Sequence, residues 1–343
     1  MSKRKVALIF GGGGQDASYL FELLLEKGYD EIHGTIRRSS VITTERIDHI
    51  FDKLELHYCD LVDSNNVTSI IHSVKPTEIY NMAAQSHVAI SAEIENYTFQ
   101  VNTLGILNIL QAVRLLGLQK SCKIYHCGTS EQWGNETDGS SLLNEESRMN
   151  PCSIYGISKV AANQICNMYR DAYGMFVVCS ILHNHESPRR GHNFVTQKIA
   201  NYVGKFDVGD APLQLGNLNA RRDWGHAKSY VEGIWMIVQQ DTPDNYVLAT
   251  GETHSVREFV ELSFNEINIQ IAWDGSGVNE VGRNKHTGDI VVIVNPKYYR
   301  DIDIECLIGD ASKARRVLGW EPKTSFKQLV SEMVQAALLR NKA

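Results

Sequence analysis

The chain opens with a repeating alternation of short apolar runs and amphipathic segments. Runs of strand length alternate with segments in which the apolar positions follow helical spacing. The strand-like runs are KVALIF, EIHGTI, LELHY, EIYNM and KIYHC, and the helical segments are ASYLFELLLEKG, NNVTSIIHSVK and TLGILNILQAVRLLG. The alternation continues through MFVVCSIL, which ends at residue 182. Such a pattern predicts an α/β fold, a Rossmann-type doubly wound parallel sheet covered on both faces.

After residue 182 the pattern changes. More Gly, Asn, Arg and Trp appear, and loops such as SPRRGHNF and NLNARRDWGH interrupt the alternation. The segment SYVEGIWMIVQQ (229–240) has a helical pattern and is apolar enough to return to the first unit. We therefore expect one Rossmann domain from residues 1–182 plus about 223–250, and a smaller C-terminal, substrate-binding α/β domain from about 183–222 plus 251–343.

Composition narrows the choice of partner and compartment. A formal net charge of -6 argues against nucleic acid or an anionic membrane as a partner, and no stretch approaches the length of a membrane span. The seven cysteines include no CxxC pair, which favours reduced thiols and a cytoplasmic location. His183-x-His185 has no third ligand at a typical spacing, so no metal is expected.

Four consecutive glycines, Gly11 to Gly14, separate the first strand from the first helix. Both Gly12-x-Gly14-x-x-Ala17 and Gly11-x-x-Gly14-x-x-Ala17 fit patterns of dinucleotide-binding turns. In such a turn the backbone N–H groups approach a pyrophosphate at the positive end of the following helix. The alternative is a flexible loop with chance glycines.

The end of the second strand indicates which dinucleotide is bound. NAD-binding proteins usually place Asp or Glu there, where it binds the ribose 2′-hydroxyl. Here Arg37, Arg38, Ser39 and Ser40 occupy the place, and guanidinium groups with hydroxyls suit a 2′-phosphate. A solvated basic pair is the alternative. The predicted cofactor is NADP.

A tyrosine and a lysine follow the fifth strand at helical spacing. Tyr155-x-x-x-Lys159 places both side chains on one face of a helix. The ammonium, together with a nicotinamide cation, is expected to lower the pKa of the phenol and make it a usable base. A surface tyrosine on an amphipathic helix is the alternative.

Thr129, Ser130 and Glu131 lie at the carboxyl end of the fifth strand, where open α/β sheets place their chemistry. An extended strand end would point Thr129 and Glu131 the same way. The hydroxyl can orient a reacting oxygen, and the carboxylate adds an acid/base that simple hydride transfer does not require. A solvated loop acid is the alternative reading of Glu131.

Together these segments resemble a known family. The ordered set GQD, RRSS, AAQSHV, TSE, YGISK, NHESPRRG, NFVT, RRDWGHAKSYV, ATGETHSVREFV and NEVGR, from about residue 5 to residue 335, is similar to GDP-mannose 4,6-dehydratases of the extended short-chain dehydrogenase/reductase superfamily. The resemblance implies dehydration of GDP-mannose, with catalysis by Thr129, Glu131 and Tyr155 and support from Lys159. It also implies a homodimer or homotetramer, and it leaves Gly12 and Gly13 free to vary, with Gly11 and Gly14 setting the turn.

The resemblance also assigns binding residues. For the cofactor they are Gly11, Gly14, Gln15, Asp16, Arg37, Arg38, Ser39, Ser40, Asp60, Leu61, Met82, Ala83, Ala84, Gln85, Ser86, Tyr97, Tyr155, Lys159, His185 and Arg190. For the nucleotide sugar they are Ser86, Val88, Asn184, Asn193, Phe194, Lys198, Arg222 and Arg283.

An acidic chain needs local cations to hold a nucleoside diphosphate sugar. Arg189, Arg190, Arg221, Arg222 and Arg283 lie in the later loops and are expected to supply them, although each could instead form a surface ion pair. Three rival functions stay open: an NADPH-dependent 4-keto reductase, a 4-epimerase, and a catalytically silent NADP-sensing regulator. Glu131 favours dehydration over the two other enzymes.

Overall fold

The computed structural model describes residues 4–135, 142–299 and 306–342. Its strands, numbered along the chain, are β1 (Val6–Phe10), β2 (Glu31–Ile36), β3 (Glu55–Tyr58), β4 (Glu78–Asn81), β5 (Lys123–Cys127), β6 (Val177–Leu182), β7 (Asn184–Glu186), β8 (Leu213–Leu215), β9 (Arg221–Arg222), β10 (Trp224–His226), β11 (Tyr246–Leu248), β12 (His254–Ser255), β13 (Ile271–Asp274), β14 (Val281–Asn284), β15 (Ile290–Val294) and β16 (Cys306–Leu307).

The α-helices are numbered in the same way. They are α1 (Gln15–Glu26), α2 (Ser64–Val74), α3 (Val88–Ser91), α4 (Glu95–Phe99), α5 (Gly105–Leu115), α6 (Ile154–Tyr173), α7 (Val195–Lys205), α8 (Ala227–Val238), α9 (Val256–Asn265), α10 (Ser312–Leu318) and α11 (Phe326–Lys342). Short 3₁₀ turns occupy Asp48–Lys53, Ser130–Trp133, Gly277–Asn279 and Pro296–Tyr298, and a π-turn at Gln100–Leu104 leads into α5.

The main sheet is parallel throughout the described residues, in the order β11-β6-β5-β4-β1-β2-β3. All five residues of β1 are buried, as expected for a central strand with helices on both faces. The strand order reverses between β1 and β4, and at such a point an open α/β sheet forms its binding crevice. The Rossmann-type α/β fold predicted from the sequence is confirmed.

Two apolar cores cover the faces of this sheet. On one face, residues of α1 and α8 such as Leu20 and Ile234 pack with Ile9 of β1. On the other face, residues of α2, α5 and α6 pack with Leu8. The segment predicted to return to the first unit does so, because α8 supplies part of the first core.

The later segments form smaller sheets and a third core. The four-stranded sheet runs β13-β14-β15-β8, while β12-β9-β16 and β10-β7 form two shorter ones. Residues of α7, α9 and α11 pack around Phe259, Phe264 and Met333. The division into two domains at residues 183, 223 and 251 stays a prediction.

Candidate active site

A cleft of about 1460 Å³ opens at the carboxyl ends of the strands on either side of the switch point. Single-ligand pockets usually measure about 300–1,000 Å³, so this cleft has room for two ligands side by side. Residues following β1, β4, β5 and β6 line it, together with the start of α7 and parts of the later loops.

The glycine turn forms one wall of the cleft. Gly11 has φ +91°, and a β carbon there would lie 2.8 Å from the Ala83 amide nitrogen, so only glycine suits the position. Gly14 is the N-cap of α1 with an ordinary φ of -78°. The expectation that Gly13 could be another residue is wrong, because a β carbon there would lie 2.6 Å from the Thr43 carbonyl oxygen.

Lys159 ties helix α6 to the end of β5. The N-cap Ser153 accepts a hydrogen bond from the Gly156 N–H and so starts the helix just before Tyr155. Lys159 is 2% exposed, and its Nζ donates to the Cys127 carbonyl oxygen at 2.7 Å. Burial lowers the pKa of Lys159. The ammonium is therefore held against the main chain at the strand end.

The environment of Tyr155 differs from the sequence expectation. Burial raises the pKa of Tyr155 to about 12; a hydrogen bond with the Thr129 side chain acts in the opposite direction, and the Glu131 carboxylate adds to the rise. Lys159 was expected to lower this pKa, yet its ammonium bonds the Cys127 carbonyl. The groups of the chain thus raise the pKa of the phenol overall.

Glu131 lies in a 3₁₀ turn rather than in an extended strand end, so the expectation of an extended conformation at Glu131 is wrong. β5 ends at Cys127, and the Thr129 hydroxyl caps the 3₁₀ turn Ser130–Trp133 by accepting from the Glu131 N–H at 3.3 Å. Gly156 allows this turn to pack on α6, since a β carbon there would lie 2.9 Å from the Glu131 carbonyl oxygen. Thr129, Glu131 and Tyr155 all line the cleft.

A partly buried ion pair joins α1 to β7 across the cleft. The Nε2 of His185 lies 2.9 Å from Asp16 Oδ2, its Nδ1 lies 2.8 Å from the His183 carbonyl oxygen, and its ring stacks on Tyr230. Burial alone would lower the pKa of His185, but the Asp16 carboxylate raises it above its usual value. With acceptors at both nitrogens, the imidazolium form fits this position.

Arg190 is held at the cleft by a carboxylate. Glu186 is 2% exposed, accepts a hydrogen bond from the Thr196 hydroxyl at 2.5 Å, and lies 3.1 Å from Arg190 Nε. The Arg190 guanidinium carbon lies 3.6 Å from the centroid of the Phe194 ring. The centroid of the His87 ring lies 5.6 Å from the same centroid, with the two rings tilted. This cluster spans the cleft between the loop after β4 and the start of α7.

The model of the family described as GDP-mannose 4,6 dehydratase matches residues 8–333, nearly the whole chain. The chain belongs to this dehydratase family.

Relatives agree with the assignment to this dehydratase family, and a solved structure shares its fold. The chain is 51% identical to the GDP-mannose 4,6 dehydratase of Cricetulus griseus, over 97% of this chain and 91% of that protein. It is 48% identical to the enzyme of the same name from Drosophila melanogaster, over 98% and 86% of the two chains. A dTDP-glucose 4,6-dehydratase from Streptomyces venezuelae, solved with NAD and TYD, is 20% identical with a TM-score of 0.82, covers 98% of each chain, and shares the fold.

Most of the residues that the resemblance to the dehydratases assigned come together. All the predicted catalytic residues line the cleft, and so do the predicted binding residues other than Arg38, Ser40 and Arg283. Ser40 lines a smaller adjoining pocket. Arg283 lies on β14, where its Nη1 donates to the Gly288 carbonyl oxygen at 3.2 Å. The roles of all these residues in this family member stay predictions.

The five later arginines divide into two groups. Arg190 and Arg222 line the cleft. Arg189 instead bonds Glu22 at 2.6 Å on α1, and Arg221 donates to the Thr253 carbonyl oxygen at 2.5 Å. Arg189, Arg221 and Arg283 thus form their hydrogen bonds outside the cleft lining. Position in a loop alone therefore did not predict which arginines line the cleft.

Sequence reasoning missed several residues that line the cleft of this dehydratase. They are Thr43, Arg46, Glu186, Thr196, Asn217, Lys297 and Tyr298. Glu186 and Thr196 stand inside the quoted segments NHESPRRG and NFVT, so adjacency could have suggested them. Lys198 Nζ lies 4.1 Å from the Tyr298 ring centroid, a contact between distant segments that no local pattern indicates.

None of the helices in the described residues combines the length and the apolar character that crossing a bilayer needs. In the same part of the chain, no group of three or more His, Cys, Asp or Glu side chains is arranged to hold a metal ion.

Proposed function

We propose that the chain is an NADP-dependent enzyme that converts GDP-D-mannose into GDP-4-keto-6-deoxy-D-mannose with loss of water. The observation that carries the proposal is that Glu131 shares one cleft with Thr129 and Tyr155. A reductase or epimerase needs the hydroxyl and the phenol but no carboxylate beside them. Relatives that share 48% and 51% sequence identity with the chain are named GDP-mannose 4,6 dehydratase. Its product would supply the synthesis of GDP-6-deoxyhexoses of the fucose or rhamnose type.

Tyr155 and Thr129 act on the sugar 4-hydroxyl. In this proposal Tyr155 removes the hydroxyl proton, and Thr129, hydrogen-bonded to the phenol, orients the same oxygen. The nicotinamide, when bound, supplies an acceptor for one hydride, which leaves C4 and returns to C6. Lys159, one turn after Tyr155 on α6, bonds the end of β5 and so holds Tyr155 in place.

Glu131 carries the dehydration. The ketone at C4 acidifies the proton at C5, and the Glu131 carboxylate takes that proton as a general base. The resulting carboxylic acid then protonates the departing 6-hydroxyl, which leaves as water. Hydride addition at C6 leaves an enolate, and the proton that Tyr155 took from the 4-hydroxyl then goes to C5. Glu131 and Tyr155 therefore both end the sequence as they began.

The residues of the cleft suit a nicotinamide dinucleotide. Gly11 leaves a cradle that a β carbon would fill, and Gly14 starts α1 with its N–H groups toward the cleft, where a pyrophosphate would accept from them. Arg37 and Ser39 line the cleft at the end of β2. The Arg37 guanidinium donates to the Tyr97 hydroxyl, which orients it for a 2′-phosphate.

Replacing Arg37 and Arg38 by Ala should change cofactor preference. Without guanidinium groups to bind the 2′-phosphate, the Kd for NADP should rise about 10–100-fold, while the Kd for NAD should change by less than about threefold. Calorimetric titration of cofactor-free protein with each dinucleotide measures both constants. Since only Arg37 of the pair lines the cleft, Arg37→Ala alone should give most of the effect.

A second arginine pair provides the control. Arg315 and Arg316 end helix α10, away from the cleft, so their replacement by Ala should leave both dissociation constants unchanged. An equal loss of NADP and NAD affinity in the Arg37/Arg38 variant would contradict the assignment of NADP.

Product analysis tests the proposed reaction directly. The purified protein, incubated with GDP-mannose and a catalytic amount of NADP, should release GDP-4-keto-6-deoxy-mannose detectable by mass as the loss of one water. A parallel reaction with excess NADPH tests the reductase alternative, which predicts a 4-hydroxy product. No product in either reaction, despite measurable NADP binding, would favour the regulator instead.

We also propose that the enzyme assembles as a homodimer or homotetramer. Exposed apolar side chains on α4 to α6 support this, because they include Phe99, Ile157 and Met168 on neighbouring helices.

A further inference from the structure

Arg46 lies across the glycine turn, and no local pattern identifies it. Its Nη1 donates to the Gly13 carbonyl oxygen at 3.1 Å, and its Nε donates to the Arg189 carbonyl oxygen at 2.6 Å. One side chain thus joins the turn after β1 to the loop after β7, two segments that face each other across the cleft. The segment that carries Arg46 lies so close to the turn that the carbonyl oxygen of its Thr43 leaves room only for glycine at position 13.

The hydrogen-bond partners of Arg46 are uncharged, unlike those of the two arginines beside it. Arg189 bonds the Glu22 carboxylate at 2.6 Å, and Arg190 lies 3.1 Å from Glu186. Arg46 instead donates to two neutral carbonyl oxygens. Those partners satisfy some of its N–H groups but carry no charge, and a balancing charge comes from the carboxylate of the adjacent, exposed Glu45.

The position of that charge indicates an anionic ligand. Arg46 lines the cleft together with Gly13, Gly14 and Arg190. Burial lowers the pKa of Arg46, Glu45 raises it, and the guanidinium groups of Arg190 and Arg189 lower it further. Because Arg189 and Arg190 already have carboxylate partners, an anion bound in the cleft would chiefly balance the charge of Arg46.

We propose that Arg46 is a further cofactor-binding residue, whose guanidinium ties the glycine turn to the 187–190 loop and adds its positive charge where the phosphates of the dinucleotide bind. The inference rests on the proposed function in taking a nicotinamide dinucleotide as the ligand. Two roles are combined in one side chain. The bonds to Gly13 and Arg189 position the walls of the cleft, and the charge attracts the phosphates.

Two substitutions separate these roles. Arg46→Met removes both the charge and the bonds, and should raise the Kd for NADP about tenfold or more, as expected for the loss of a charge-assisted interaction. Arg46→Lys keeps the charge but cannot form the two-pronged bridge, and should bind NADP within about threefold of the unaltered protein. Arg46→Gln serves as the neutral variant should Arg46→Met fail to fold. Calorimetric titration of cofactor-free protein gives each constant, and thermal melting without ligand reports stability.

Arg170 provides the matched control. It too is partly buried and donates to a main-chain carbonyl, that of Val177, and to Asn245 Oδ1, but it lies outside the cleft lining. Arg170→Met and Arg170→Lys should lower the melting temperature without changing the Kd for NADP by more than about twofold. Adenosine, which has no phosphate, should bind the Arg46 and Arg170 variants equally well.

The outcomes distinguish this inference from the proposed function. An Arg46→Met protein that binds NADP within about twofold of the unaltered protein overturns the inference. So does an Arg46→Lys protein as weak as Arg46→Met, since the charge would then contribute nothing. An unaltered protein that binds neither NADP nor NAD instead defeats the proposed function. Weakened binding of NAD as well as NADP supports a role at the shared pyrophosphate.

Discussion

Replacing Glu131 by Gln should abolish dehydration while leaving oxidation at C4 intact. Glutamine preserves the shape of the side chain but can neither take the C5 proton nor protonate the departing hydroxyl. Each acid or base role contributes typically about 10²–10⁴-fold, so the loss of both should lower kcat by at least about 10³-fold. The Glu131 carboxylate also raises the pKa of Tyr155, so its removal should not weaken the phenol as a base for the first step.

Two measurements separate the steps in the Glu131→Gln protein. Reduced nicotinamide should accumulate in single-turnover absorbance traces, because oxidation proceeds and dehydration does not. Solvent deuterium should fail to enter the sugar at C5. Glu258→Gln, at the N-terminal cap of α9 and outside the cleft lining, is the isosteric control and should keep full activity. Unchanged release of the 4-keto product by Glu131→Gln would contradict the proposed role of Glu131.

Features with a fixed offset along the chain were the ones that sequence could predict. Gly11 and Gly14 stand between a strand and a helix, and Arg37 directly follows the next strand. Tyr155 and Lys159 share one helical face, so each inference needed only local spacing. The structure brings these segments to one cleft because parallel strands present their carboxyl ends at the same edge of the sheet. The fold and the outline of the site therefore follow from local signals.

Contacts between distant segments could not be predicted in this way. Asp16 and His185 are separated by 169 residues, and nothing in either segment indicates that they form a partly buried pair. Gly13 looked interchangeable because its constraint comes from the Thr43 carbonyl of another segment. Arg46 acts on Gly13 and Arg189 through the same kind of tertiary contact.

The protonation chemistry of the site also depends on packing. The sequence placed a lysine one turn from Tyr155 and predicted that its ammonium, together with a nicotinamide cation, lowers the pKa of the phenol. In the folded chain, burial dominates and raises that pKa, while the lysine ammonium is bound to the Cys127 carbonyl. Spacing can place two groups on one helical face, but it does not specify which acceptor the ammonium bonds or how far the phenol is desolvated.

Replacing Tyr155 by Phe should remove the base for the first step. The ring would still fill its place on α6, but no group would take the 4-hydroxyl proton, so kcat should fall about 10²–10⁴-fold. Burial raises the pKa of Tyr155 to about 12, so the phenol is mostly protonated near neutral pH and its basic form increases as pH rises. The unaltered enzyme should therefore react faster with rising pH, and Tyr155→Phe should lose both the rate and this dependence.

The pH profile separates this role of Tyr155 from a merely structural one. Tyr169 lies on the same helix, is 4% exposed and is outside the cleft lining, so Tyr169→Phe should retain both the rate and the pH dependence. Initial rates at saturating GDP-mannose across neutral and alkaline pH give the comparison, and NADP affinity shows whether the cleft is intact. If Tyr155→Phe kept the rise with pH at a reduced rate, another group would have to be the base, and Glu131, the other acid/base beside it, would be the first to test.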